Sequence, residues 1–194
     1  MAVVRSAGLA AQPSERTFPA THEMYLMQIE RTLGLLGESL ARVHQLTPAI
    51  GDDPGNVVAP ATLVARAQAD EVGEAADDGS AAPSAAYAHM TRSELLAALN
   101  EGAERAAGRA DQPVLLQGRP TLDNLLLDGF EPAGFADWSA VATGDRHWDL
   151  AIACRDVVQR CGPNGVTVLL AAYGMDLVDP FRLDWYSLAL ELLP

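Results

Sequence analysis

A mainly α-helical α+β domain with one small β-hairpin is what this sequence predicts, on three observations. Leu26, Ile29, Leu33, Leu36, Leu40 and Val43 recur at steps of three and four, the stripe of an amphipathic helix. Thr91 and Glu94 form a capping box ahead of Leu95, Leu96 and Leu99. "PVLLQ", "NLLLDGF" and "GFADW" are short apolar runs, and Asp128-Gly129 between the last two signals a hairpin turn.

Taken in order, residues 1–20 hold Pro13 and Pro19 without a clear period and read as a flexible or irregular arm. Residues 21–194 read as one domain. Its first helix begins near Thr21 and packs inside the chain, as a globular lobe requires. The same spacing fits a coiled-coil seam, so self-association through residues 26–43 is one expectation. Pro, Gly and Asp make 47–60 a loop, and 64–72 has the composition of a helix. Residues 75–90 are a low-complexity, acidic linker inside the domain. The capped helix from Thr91 stops at Gly108. After the β-rich stretch the chain is helical again at about 145–160 and 164–173. Asp179 as N-cap and Pro180 at the first helical position then open a last helix to Leu193.

The bulk numbers bound the function. With 194 residues, 49% hydrophobic and 20% charged, the chain has room for one domain or one lobe of something larger. No apolar run approaches the roughly 18 residues of a membrane span, and the N-terminal apolar segment is too short and interrupted for a secretory signal. A cytoplasmic protein without a membrane partner is expected. A net charge of −13 argues against nucleic acid and tolerates a cationic small molecule. All 13 basic residues are Arg, so no lysine is available to grip a phosphate. Cys154 and Cys161, seven apart on one expected helix, suit neither a metal site nor a disulfide and read as buried thiols.

The densest pattern is "QGRPTLDN", followed by "GFADWSAVATGDRHWDLAIACRDV", "YG" and "DPFRLDWYSLALELL". It resembles the C-terminal lobe of the aminoglycoside phosphotransferase family, a bacterial branch of the protein-kinase-like fold, and most of all its 3′-phosphotransferases. "LGESLARVHQL" is similar to the first helix of that lobe. The resemblance implies a fold and a chemistry. In the family, His-Gly-Asp followed five residues later by Asn, and an Asp-x-Gly on a second hairpin strand, serve phosphoryl transfer. The first Asp accepts the proton of the attacking hydroxyl, while Asn and the second Asp hold Mg²⁺ against the nucleotide phosphates.

By that resemblance Gln117 stands at the His position, Arg119 at the catalytic Asp position, and Asn124 and Asp137 at the Mg²⁺ positions. Ser139 replaces the Gly of Asp-x-Gly. Asp145 is expected to cap a helix and Asp149 to bond the backbone of the catalytic loop, while Glu191 lies near the family's acidic substrate grip. The roughly 30 residues ahead of the match are too few for the family's N-terminal lobe, so that lobe is expected to be missing. The leading expectation is a catalytically dead or severely impaired pseudo-phosphotransferase that serves as a binding module and needs no cofactor. Arg119 pairs with Asp137 in place of the metal, and a protein partner or a second copy covers the face where the missing lobe would pack. The alternative is an active Mg²⁺- and ATP-dependent phosphotransferase of a small, hydroxylated, aminoglycoside-like substrate, with the missing lobe supplied by a partner.

Overall fold

The computed structural model describes residues 16–46, 56–73, 84–108 and 112–193. The expectations for residues 1–15, for most of the 47–60 loop and for the first part of the 75–90 linker lie outside these. In chain order the elements are β1 (Thr17–Pro19), α1 (Glu23–Leu26), α2 (Ile29–Gln45), β2 (Val57–Val58), α3 (Pro60–Gly73), α4 (Arg92–Gly108), β3 (Val114–Leu116), β4 (Leu125–Asp128), β5 (Glu131–Phe135), β6 (Ala142–Gly144), α5 (Arg146–Cys161), α6 (Asn164–Tyr173) and α7 (Pro180–Leu192), with a 3₁₀ turn at Met175–Leu177.

The mainly helical α+β reading holds, and α5 is its axis. Leu150, Ala153, Cys154 and Val157 on this helix join a core with α2, α6 and the β4–β5 hairpin. Ala151 and Ile152 join a second core with α3, α4 and α7. Burying residues on both sides of one helix explains why its apolar positions form no single stripe. In α2 the stripe is consumed within the chain: Leu33, Leu36, Leu40 and Val43 are at most 1% exposed and pack in the same core as Leu169 and Leu170 of α6. That leaves no seam for a partner helix, which corrects the coiled-coil expectation.

Other corrections are local. The helix expected from Thr21 is interrupted at Met27-Gln28, and Leu26 before the break is 43% exposed rather than part of the stripe. Residues 17–19, expected in an irregular arm, form β1, antiparallel to β4 with Thr17 opposite Asp128. Ser84 and Tyr87, expected in a linker, pack on α7 through the Ser84 N–H to Glu191 (2.8 Å) and the Tyr87 hydroxyl to Asp184 (3.0 Å). The capping box forms as expected, with the Thr91 N–H donating to Glu94 at 2.8 Å and the Glu94 N–H to Thr91 Oγ1 at 3.3 Å.

The hairpin is shifted from the expected frame. Asp128 remains in β4 opposite Glu131, and the two-residue loop is Gly129-Phe130, with Gly129 at φ +62° where a hairpin turn favours glycine. β5 therefore starts at Glu131 and ends at Phe135, ahead of the expected "GFADW", and Pro132 disguises its start in the sequence. Proline is tolerated there because β5 is an edge of the sheet β1-β4-β5. A second sheet, β2-β6-β3, frames the loop that follows β3, and its two- and three-residue strands are too short to show a period.

Candidate functional site

The segment from Gln117 to Asn124 leaves β3 and enters β4, and a buried carboxylate holds its start. Asp149, 0% exposed on the first turn of α5, accepts the N–H of Gln117 at 2.7 Å and of Gly118 at 2.9 Å. It also contacts His44 Nε2 at 3.2 Å, and His44 Nδ1 lies 2.8 Å from the Tyr173 hydroxyl. The expectation that Asp149 serves the loop backbone is met. His44 was missed, since nothing in the spacing of "RVHQ" sets it apart from a helix-end histidine.

Gly118 sits at φ +87°, and a Cβ there would lie 2.0 Å from the Ala140 carbonyl oxygen. Left-handed strain and overpacking each cost about 1–3 kcal/mol. Gly118→Ala is therefore expected to destabilise the protein by roughly 3 kcal/mol, read as a lower urea midpoint.

Gln117, fully buried, bridges the two halves of the site. Its Oε1 accepts the Arg119 N–H at 2.7 Å, and its Nε2 donates to the Asp137 carbonyl. The Asn124 Nδ2 donates to the Arg119 carbonyl at 2.9 Å, which closes the loop and leaves the amide oxygen available. Asp137 follows β5. Its Oδ1 accepts the Ser139 N–H at 2.8 Å, and its Oδ2 lies 3.6 Å from Arg119 Nη1. The Ser139 hydrogen bond first, and then the Arg119 charge, hold the Asp137 carboxyl below the usual carboxylate range. Gln117, Arg119, Asn124 and Asp137, the residues singled out by the resemblance, thus lie together. Glu191 does not join them, because its carboxylate takes the Ser84 backbone.

Two further carboxylates brace this arrangement. Asp145 caps α5 through the His147 N–H at 2.9 Å, accepts from His147 Nδ1 at 2.7 Å and pairs with buried Arg182. His147 Nε2 accepts the Asp179 N–H at 2.9 Å, so the ring proton sits on Nδ1 and the starts of α5 and α7 are tied together. Asp156 accepts the Leu122 N–H at 2.9 Å and Arg160 Nε at 2.6 Å. The signal for Asp149 and Asp156 was present in the sequence: two acids a heptad apart on the core-facing side of a helix must have internal partners.

Beside the loop lies a cleft of about 960 Å³. It runs between α3, the N-terminal half of α5 and the end of α7, and its described lining includes Arg66, Arg119 and Arg155 but no Asp, Glu or His. Arg66 and Arg155 carry no signal in the sequence, because only the tertiary structure brings α3 to α5.

The sequence model of the phosphotransferase enzyme family (APH) matches residues 9–186. The chain belongs to this family. Solved structures agree on the kinase-like fold. An aminoglycoside-3'-phosphotransferase of type VIII superposes with a TM-score of 0.72 at 22% identity over 98% of this chain and 76% of that one. APH(3'')-Id from Streptomyces rimosus, in complex with ADP and streptomycin, gives 0.71 at 22% identity over 90% and 66%. A choline/ethanolamine kinase family protein from Mesorhizobium loti gives 0.69 at 14% over 97% and 64%. The chain thus spans just under two thirds of the length of the last two.

Measured against the chemistry of this phosphotransferase family, the oxygen donors for Mg²⁺ fit. Asn124 Oδ1 and Asp137 Oδ2 are oxygen donors of the hard kind that would suit Mg²⁺. When bound, the ion would neutralise phosphate charge. Arg119 competes for the same carboxylate oxygen, yet the two side chains are 64% and 36% exposed. Such a pair contributes about 0–1 kcal/mol and is open to displacement. The expected pairing of Arg119 with Asp137 is thus present, as a solvent-exposed contact.

Proposed function

We propose that this chain is a pseudo-phosphotransferase, a family lobe that binds through the cleft beside its loop and does not transfer a phosphoryl group. The single observation that supports the reading most is the lack of any Asp, Glu or His among the described residues of that cleft, with Arg119 at the position of the base. Guanidinium stays protonated and accepts no proton from a hydroxyl. Other carboxylates nearby are engaged: Asp123 pairs with Arg160 and accepts from the Thr21 hydroxyl at 2.9 Å, and Asp149 is buried beneath the backbone. Loss of a general base slows transfer by about 10²–10⁴-fold. Asn124 and Asp137 would then be family remnants able to hold a metal without a reaction to serve.

The test is ADP release from Mg²⁺·ATP with a panel of hydroxylated acceptors, streptomycin and choline among them. The expected result is no acceptor-dependent ADP above that of Asp137→Ala. Acceptor-dependent release that disappears in Asp137→Ala would overturn the reading in favour of an active enzyme.

A further inference from the structure

We infer that the cleft takes an anion, a small molecule carrying a phosphate or carboxylate group, and not a polycation. The inference rests on reading this cleft as the binding site, and it holds whether or not transfer occurs. The chain has 26 acidic residues against 13 arginines, so an average surface of this protein is strongly negative. Three arginines, and no carboxylate among the described residues, line the cleft.

Each guanidinium is placed to receive a ligand. Arg66, on the exposed side of α3, makes no ion pair among the described residues. Arg155 on α5 lines the cleft and is anchored by one hydrogen bond, from Nη1 to the Leu190 carbonyl at 3.1 Å, which leaves other N–H groups to donate. Arg119 has only the long, exposed contact to Asp137, which an incoming oxyanion can replace. Trp148, Ile152 and Leu190 supply an apolar wall. Such a wall lowers the local dielectric and concentrates the field of the cations. Guanidinium forks match planar carboxylate and tetrahedral phosphate oxygens, whereas a cationic ligand would meet uncompensated positive charge. The volume of about 960 Å³ accommodates a metabolite-sized body behind such a head group.

Calorimetry on the full chain at low ionic strength tests this, with inorganic pyrophosphate and citrate as anionic probes and streptomycin as the cationic one. At least one anion is expected to bind with a one-to-one stoichiometry that weakens as salt rises, and the tighter of the two identifies the head group as phosphate or carboxylate. Arg66→Gln should weaken it about tenfold, Arg66→Lys should weaken it less, and Arg42→Gln, a charge-matched change on α2 away from the cleft, should leave it unchanged. The inference is overturned if neither anion binds at millimolar concentration, if streptomycin binds more tightly than both, or if Arg42→Gln weakens binding as much as Arg66→Gln. Because the readout is binding, failure here leaves the outcome of the ADP-release assay standing, and an active enzyme in that assay leaves the anion preference standing.

Discussion

Asp149→Ala is expected to lower the stability of the protein by roughly 3–5 kcal/mol, the scale at which removal of one partner from a buried charged network acts. The substitution strands two buried loop N–H groups, those of Gln117 and Gly118, and removes the partner of His44 Nε2. Each stranded donor costs about 1–3 kcal/mol, because water is not there to replace the carboxylate. With a urea slope near 2 kcal/mol/M, the midpoint should fall by about 2 M. Asp149→Asn keeps one acceptor oxygen and should fall by about half as much. An unchanged midpoint for the alanine variant would mean that the loop donors reach solvent and that the buried carboxylate does not hold the site.

The second large effect concerns the cation at the base position. Arg119→Asp removes a positive charge beside Asp137 and Asn124 and installs a further carboxylate. At about 5 Å and an effective dielectric near 20, each pair of unit charges is worth about 3 kcal/mol before solvent relaxation. Exposure reduces this, so the expected gain in divalent-cation affinity is about tenfold or more. Mn²⁺ is the probe, read as paramagnetic broadening of the Asn124 side-chain amide signals, with Arg119→Gln falling between the parent and the Asp variant. Equal Mn²⁺ affinity in all three proteins would show that Arg119 does not govern the metal position.

How much of this was legible follows from where the signals lie along the chain. Helices α4, α5 and α7 announced themselves through caps and punctuation, such as Thr91 with Glu94, Asp145, and Asp179 before Pro180, because capping is a contact between residues two or three apart. β5 was placed three residues late, at "GFADW", because Glu131 and Pro132 do not read as strand residues, and only an edge position in the sheet makes the proline acceptable. β1 was invisible for a related reason: a three-residue strand has no period, and it exists because β4, more than 100 residues later, offers it a free edge.

The site divides along the same line. Gln117, Arg119, Asn124 and Asp137 lie within one short stretch around a hairpin, and the family resemblance of that stretch grouped them in the sequence and set a cation at the family's base position. The tertiary structure decided the state of that group. It left the Arg119–Asp137 pair exposed to solvent, engaged Glu191 with the Ser84 backbone, and assembled Arg66 and Arg155 from separate helices into one cleft with Arg119. A hairpin's geometry is local and therefore written in adjacent residues. Solvent exposure and the sign of a cleft are sums over distant segments, and they exist only once the helices have packed.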